Sequence, residues 1–382
     1  MTPRVVVDMH IVDRPTMEWT GVGRYALEST AALCAARPDW HFIVLTNRPD
    51  LVSADNAVVI PTGWPTHHAA ARVAWLHLGS AWQLRNLRAD LWLGTAFTLP
   101  WWWRGSSLVT IHDLMFLELP SSYSSRVNGA YASGATRWAA RHADRIVCPS
   151  NETVGRLAQR FGIDASKTEV VFYGVSDSLL CERTIQSAGQ GDYLLFVGTF
   201  EPRKGLPELY RALELINSSR DRPLELKLAG KPGWGIDDTM SKLERDPCVE
   251  LLINPTDREL AVLYRDSLAL VYPSRAEGFG LPVAEAMACG TPVIASNLSC
   301  IRDFARDAPL YVPPGDAHAI AARVLELLDD PALASSCAKR GKANAEQLRW
   351  SAVGERLAAI VETILAGTEG RPSRAEADGG VT

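Results

Sequence analysis

Short apolar runs separated by helical stretches recur in two series along the chain, and this alternation constrains the fold more than any other feature. The first series is Val5–Val7, Phe42–Leu45, Val58–Ile60, Leu91–Leu93, Leu108–Ile111 and Arg145–Pro149. Runs of this length suit strands buried on both faces, and the stretches between them are long enough for crossover helices. The alternation therefore predicts an α/β fold with a parallel, doubly wound sheet. A second series comprises Tyr193–Val197, Glu225–Leu228, Val249–Leu252, Leu268–Tyr272, Val293–Ala295 and Leu310–Val312. Between the two lies Ile185–Asp192, rich in Gly, Ser and Gln as a linker would be.

The expected architecture is thus two Rossmann-like domains, residues 1–184 and 193–349, joined by residues 185–192 and facing a central crevice. Sheets of this kind bind ligands at the carboxyl ends of their strands. Residues 350–366 carry an amphipathic helical pattern, and residues 367–382 lack periodicity, as a disordered tail would.

Composition narrows the function. A length of 382 residues fits about two domains, and 47% hydrophobic with 22% charged residues fits an ordinary globular protein. The net charge of −5 argues against nucleic acid as a partner. Seven cysteines without a Cys-x-x-Cys pair read as reduced thiols, which with no signal peptide and no long apolar run places the expected location in the cytoplasm.

The segment with the most chemistry follows the run Ser267–Tyr272, where Pro273, Gly278 and Gly280 break the chain. Proline at a first helical position and Gly290 beyond the end predict a helix over 282–289. Glu285 would then ride on its first turn facing the loop, with Glu277 on the other side. The free N–H groups and dipole of that turn suit a phosphate.

The block Tyr272-Pro273-Ser274, Glu277 through Glu285 and Ala288-Cys289-Gly290-Thr291-Pro292-Val293-Ile294 resembles the donor-site signature of retaining GT-B glycosyltransferases, glycosyltransferase family 4. That resemblance implies a GT-B fold whose last helix crosses back to the first domain. It also implies that Glu285 binds the ribose hydroxyls, Glu277 the sugar hydroxyls, and the loop Gly278-Phe279-Gly280-Leu281 the phosphates, through the Gly280 and Leu281 amides.

Phe196 to Leu206 reads as a strand, a glycine-containing turn and the adjacent cations Arg203 and Lys204 before a helix. Cations at a helix start are unfavourable unless an anion sits there. One reading makes this pair ligands of a diphosphate, the other a solvated basic turn. The resemblance favours the first, as a phosphate clamp and part of the catalytic apparatus. Many family members carry Arg after the glycine aligned with Gly198, where this chain has Thr199, so the clamp rests on Arg203 and Lys204.

Gly21-Val22-Gly23 follows the first strand and opens a helical pattern through Ala36, the place of the family's glycine-rich donor loop. His112, ending the buried run before Asp113, resembles the family's active-site histidine. A core histidine tied to a backbone carbonyl is the competing reading.

No histidine spacing suggests a metal site, and Asp-x-Asp is absent from the chain. No metal and no cofactor are therefore expected, and Arg203, Lys204 and helix ends would meet the diphosphate charge. Ten of the twelve tryptophans lie at or before Trp138, and seven fall within Trp64–Trp103, a stretch with Arg72, Arg85, Arg88 and Arg104 but one acid, Asp90. Core packing, sugar stacking and membrane contact all use such residues. A positive excess of only three does not favour the membrane. Trp101-Trp102-Trp103 cannot all point inward from a strand, so at least one ring should be exposed.

These residues together suggest a transferase moving a hexose from a nucleoside diphosphate sugar to the hydroxyl of a sugar, cyclitol or lipid-linked acceptor. GDP-mannose is the favoured donor, because the segment Gly198–Lys204 resembles that of mannosyltransferases using GDP-mannose, with UDP-glucose or UDP-N-acetylglucosamine as the alternative. A sugar-nucleotide epimerase and a non-catalytic nucleotide-sugar binder on the same frame stay open.

Overall fold

The computed structural model describes residues 2–14, 20–85, 87–118, 126–179, 191–218 and 220–367. Most of the expected linker and nearly all of the expected tail lie outside the described residues. The chain divides into two compact units, one of residues 1–174 with 350–382, the other of residues 175–349. The first boundary thus falls at Gly174, before the expected residue 184.

The first unit holds a seven-stranded sheet of β1 (Arg4–Asp8), β2 (His41–Leu45), β3 (Ala57–Ile60), β4 (Leu91–Gly94), β5 (Ser106–Thr110), β6 (Arg145–Cys148) and β7 (Thr168–Val170), in the order β3-β2-β1-β4-β5-β6-β7. All pairs are parallel, as the double winding requires. Strand β7 was not legible in the sequence because Thr-Glu-Val at a half-buried edge has no apolar run. Val5–Val7, Trp92, Leu108 and Ile146 are buried on both sides, which explains why these strands read as unbroken apolar runs.

The helix Gly21–Ala36 packs against Trp350–Ala366 in this unit. A Cβ at Gly354 would sit 2.3 Å from the carbonyl oxygen of Ala32, so the two helices approach at backbone distance. Trp350 packs on Tyr25 and Tyr173. The last helix belongs to the first unit although all of residues 175–349 intervene.

The second unit is a six-stranded parallel sheet of β8 (Tyr193–Phe200), β9 (Glu225–Pro232), β10 (Val249–Ile253), β11 (Ala269–Tyr272), β12 (Val293–Ser296) and β13 (Leu310–Val312), ordered β10-β9-β8-β11-β12-β13. Strand order reverses between β1 and β4 in one sheet and between β8 and β11 in the other. Loops leaving the carboxyl ends of those strands diverge there and leave room for a ligand. Helix ends are fixed locally: Thr256 and Glu259 form a reciprocal capping box at the start of Asp257–Asp266, and Asp316 caps Ala317–Asp329.

Candidate active site

In the second unit the chain leaves β8 through Glu201 and makes a short 3-10 turn, Pro202–Lys204. Gly205 then adopts φ +71°, and a Cβ there would lie 2.3 Å from the Pro273 carbonyl oxygen. Only glycine permits that approach, which seats the turn against the loop leaving β11. The Arg275 amide donates to the Arg203 carbonyl at 2.7 Å, a second tie between the loops.

Glu277 is the centre of the resulting cluster. Its carboxylate accepts from Arg203 Nη1 at 2.8 Å, Lys204 Nζ at 2.6 Å and the Tyr272 hydroxyl at 2.7 Å. Lys204 Nζ also donates to the Tyr272 hydroxyl at 2.9 Å, and Arg203 Nε pairs with Glu201 at 2.6 Å. Glu201, Lys204 and Glu277 are buried. Burial alone would raise the Glu277 pKa, but Arg203 and Lys204 outweigh it and hold the carboxyl at about 2. Burial, with the neighbouring Arg203 charge, lowers the Lys204 pKa. Burial and the Glu277 charge raise that of Tyr272 well above its ordinary value, so the phenol keeps its proton and donates.

Arg203 and Lys204 were expected to need an anion at the helix start; Glu277 and Glu201 supply two carboxylates from the protein, as buried charges require, which leaves their reading as diphosphate ligands open.

After this loop, Gly280 at φ +106° caps the helix Leu281–Ala288, which begins one residue before the expected Pro282. Glu285 is its fifth residue and so sits past the first turn. It is buried and accepts from the Tyr264 hydroxyl at 2.8 Å. Phe279 turns into the core of the unit against Phe304, with ring centroids 4.4 Å apart, so only its backbone can serve a ligand. Pro282 has no N–H and the Val283 and Ala284 amides donate to the Gly280 carbonyl oxygen at 2.9 and 3.4 Å, so in this turn the Leu281 amide is the one suited to an anion.

In the first unit, Gly21 and Gly23 are the first and third residues of their helix, with the Thr20 hydroxyl accepting from the Gly23 amide at 3.1 Å. His112, beyond the end of β5, is buried. Its Nε2 lies 2.8 Å from the Thr95 carbonyl oxygen, and its Nδ1 contacts the Tyr173 hydroxyl. A carbonyl only accepts, so Nε2 carries the proton and Nδ1 accepts from Tyr173. Burial lowers the pKa to about 4, leaving the ring neutral at physiological pH. This is the geometry of the competing core-histidine reading, with both nitrogens engaged.

Residues that sequence reasoning passed over support these groups. Tyr272, Glu201 and Tyr264 fix Glu277, Arg203 and Glu285. Buried Asp8, ending β1, accepts from the Thr98 hydroxyl at 2.5 Å and is paired with His10. A polar residue closing an apolar strand, as Asp8 and Tyr272 do, was the available signal. Among the described residues no group of three or more His, Cys, Asp or Glu side chains could hold a metal ion, and the six described cysteines are free.

Comparison with known proteins agrees with this layout. Residues 182–344 match the family model "Glycosyl transferases group 1", and residues 19–179 match "Glycosyltransferase Family 4". O-antigen chain mannosyltransferase B of Escherichia coli is 28% identical over 358 residues, covering 87% of this chain and 93% of that protein. A D-inositol 3-phosphate glycosyltransferase of Frankia alni is 31% identical over 228 residues, 54% of this chain and 56% of that protein. Among solved structures, sucrose-phosphate synthase of Thermosynechococcus elongatus superposes with a TM-score of 0.76 at 21% identity, over 96% of this chain and all of that one. The lipopolysaccharide glycosyltransferase WaaG does so at 0.72 and 15%, over 93% of this chain and 99% of that one. With one model matched by each half and the two-sheet fold shared, the chain belongs to the family 4 glycosyltransferases of GT-B fold.

Proposed function

We propose that this glycosyltransferase moves mannose from GDP-mannose to a hydroxyl of a growing glycan or glycoconjugate, with retention of configuration and without a metal. The observation that carries the reading is the Arg203–Lys204–Glu277 cluster at the β8/β11 switch point beside the start of the helix at Leu281. Arg203 spends Nε on Glu201 and Nη1 on Glu277 and Ala276, while Nη2 has no partner among the described residues. That edge of the guanidinium is suited to a phosphate oxygen. Glu277 already accepts three hydrogen bonds and, of about four acceptor positions on a carboxylate, keeps one for a sugar hydroxyl.

In this reading Arg203, Lys204 and the Gly280 and Leu281 amides stabilise charge that builds on the leaving diphosphate while an oxocarbenium-like centre forms. Glu277 is committed to the two cations, which disfavours it as a nucleophile and favours attack on the face the diphosphate leaves. Glu285 would bind the ribose while held by the Tyr264 hydroxyl, since a carboxylate offers about four acceptor positions. His112, neutral and donating to Thr95, would shape the first unit's strand ends rather than move a proton. Mannose is favoured by the near full-length similarity to an O-antigen mannosyltransferase, whose acceptor class suggests a sugar hydroxyl here.

A thermal-shift screen against GDP, UDP, ADP and dTDP tests the base, since a ligand at 100 times its dissociation constant stabilises by about 2.7 kcal/mol. Diphosphate release from GDP-mannose that requires an acceptor supports transfer. Sugar isomerisation without acceptor would indicate an epimerase, no turnover a binder, and a shift with UDP alone the alternative UDP-sugar donor.

A further inference from the structure

We infer that the first unit docks on an anionic lipid surface through the side of the helical segment Ala69–Leu84. A π-helical turn, Trp75–Gly79, lies within it. Leu78 and Trp82 are one turn apart and so share a face, yet they are 70% and 69% exposed. Their neighbours carry the surface sideways. His77 and Gly79 flank Leu78 on its two sides within this turn. The Trp101 ring stacks on His77 at 3.9 Å, and a Cβ on Gly79 would lie 3.3 Å from the Trp64 ring. Trp101 is 52% and Trp64 41% exposed. Three indoles and a leucine therefore form one surface, with Leu78 and Trp82 central and the other two rings flanking.

Core packing does not account for rings left this open, since Trp75 and Trp92 of the same stretch are fully buried. Two arginines stand against these rings. The Arg85 guanidinium lies 5.1 Å from the centre of the Trp82 ring, and Arg104 is held by the Trp101 carbonyl at 2.7 Å. Asp90, the stretch's one acid, is turned to the Arg4 amide at 2.7 Å. Indoles prefer the boundary between hydrocarbon and headgroups, and guanidinium groups pair with phosphates. Counting charges in the sequence weighed against a membrane; the structure adds the exposed rings, which supply the apolar half of the interaction. No helix among the described residues is long and apolar enough to cross a membrane, so the contact is peripheral. The inference is independent of the donor assignment.

Cosedimentation of the full chain with vesicles tests it, using phosphatidylcholine alone and phosphatidylcholine mixed with phosphatidylglycerol. Binding to the mixed vesicles is expected, weakening as salt rises. Leu78→Ser with Trp82→Ser should reduce it on the order of tenfold or more through lost apolar contact. Arg85→Glu with Arg104→Glu should remove the preference for anionic lipid, each arginine contributing roughly fivefold. All four sites are exposed, and unchanged thermal unfolding verifies that the variants fold. Absence of wild-type binding, or binding that both variants keep, overturns the proposal. So does concentration-dependent dimerisation lost in Leu78→Ser/Trp82→Ser, which would assign the face to a second copy of the chain.

Discussion

Glu277 is ionised under all physiological conditions, and the residue-scale predictions turn on what its three donors lose without it. Glu277→Ala leaves Arg203 and Lys204 with an unmatched buried charge, so it should destabilise the protein by roughly 3–5 kcal/mol in urea unfolding. Arg203→Ala leaves Glu277 paired with Lys204 but strips buried Glu201 of its partner, so stability should fall, and in the protein that folds transfer at saturating donor should drop on the order of 10² to 10³. Wild-type turnover in Arg203→Ala would remove Arg203 from the site. His112 makes a pH prediction. Its folded pKa of about 4 lies below the unfolded 6.5, so the unfolded chain binds more protons between those values and stability falls as pH drops through that window. The loss for this one buried group is on the order of 3 kcal/mol. Burial also lowers the His77 pKa to about 4, so it adds to the same window. His112→Gln should flatten the decline between neutral and acidic pH without abolishing it, and an unaltered pH profile would show that His112 already titrates freely.

At the scale of elements, glycines with left-handed backbone set where the two strand-end loops of the second unit meet. Gly205→Ala should be disruptive beyond its lost flexibility, because the added carbon would overlap the Pro273 carbonyl in addition to straining φ. We expect more than about 2 kcal/mol of destabilisation, with diphosphate affinity reduced in whatever folded protein remains. If Gly205→Ala instead keeps both stability and GDP affinity, the loop contact does not organise the site. The start of the helix Leu281–Ala288 was legible to within one residue, since Pro282 and Gly290 bracket it. Glu285 is thereby the fifth residue of the helix, held by Tyr264 of the helix Asp257–Asp266.

For the whole molecule, the chain's return after Arg349 completes the first unit. Trp350 packs on Tyr25 and Tyr173, and Val353, Leu357 and Val361 are buried. Ending the chain at Arg349 should therefore lower the thermal stability of residues 1–174 markedly, since each such side chain contributes roughly 1.5–3 kcal/mol when fully buried. A truncated protein with an unshifted melting profile would mean that this helix is dispensable.

The sequence by itself determined the α/β class, the two series of parallel strands and the placement of the glycines, glutamates and cations at strand ends. Apolar runs, breakers and helix-end residues act through neighbours a few positions away, so their meaning survives in one dimension. Only the tertiary structure decided the pairings. Glu277 meets Arg203 and Lys204 across more than seventy residues of chain, Glu285 meets Tyr264, and His112 meets Thr95 and Tyr173. It also decided which tryptophans are buried and which remain exposed. A charge or a ring in a sequence is an unsatisfied demand, and which group answers it depends on strand order and loop closure, which bring distant residues together once the sheets have formed.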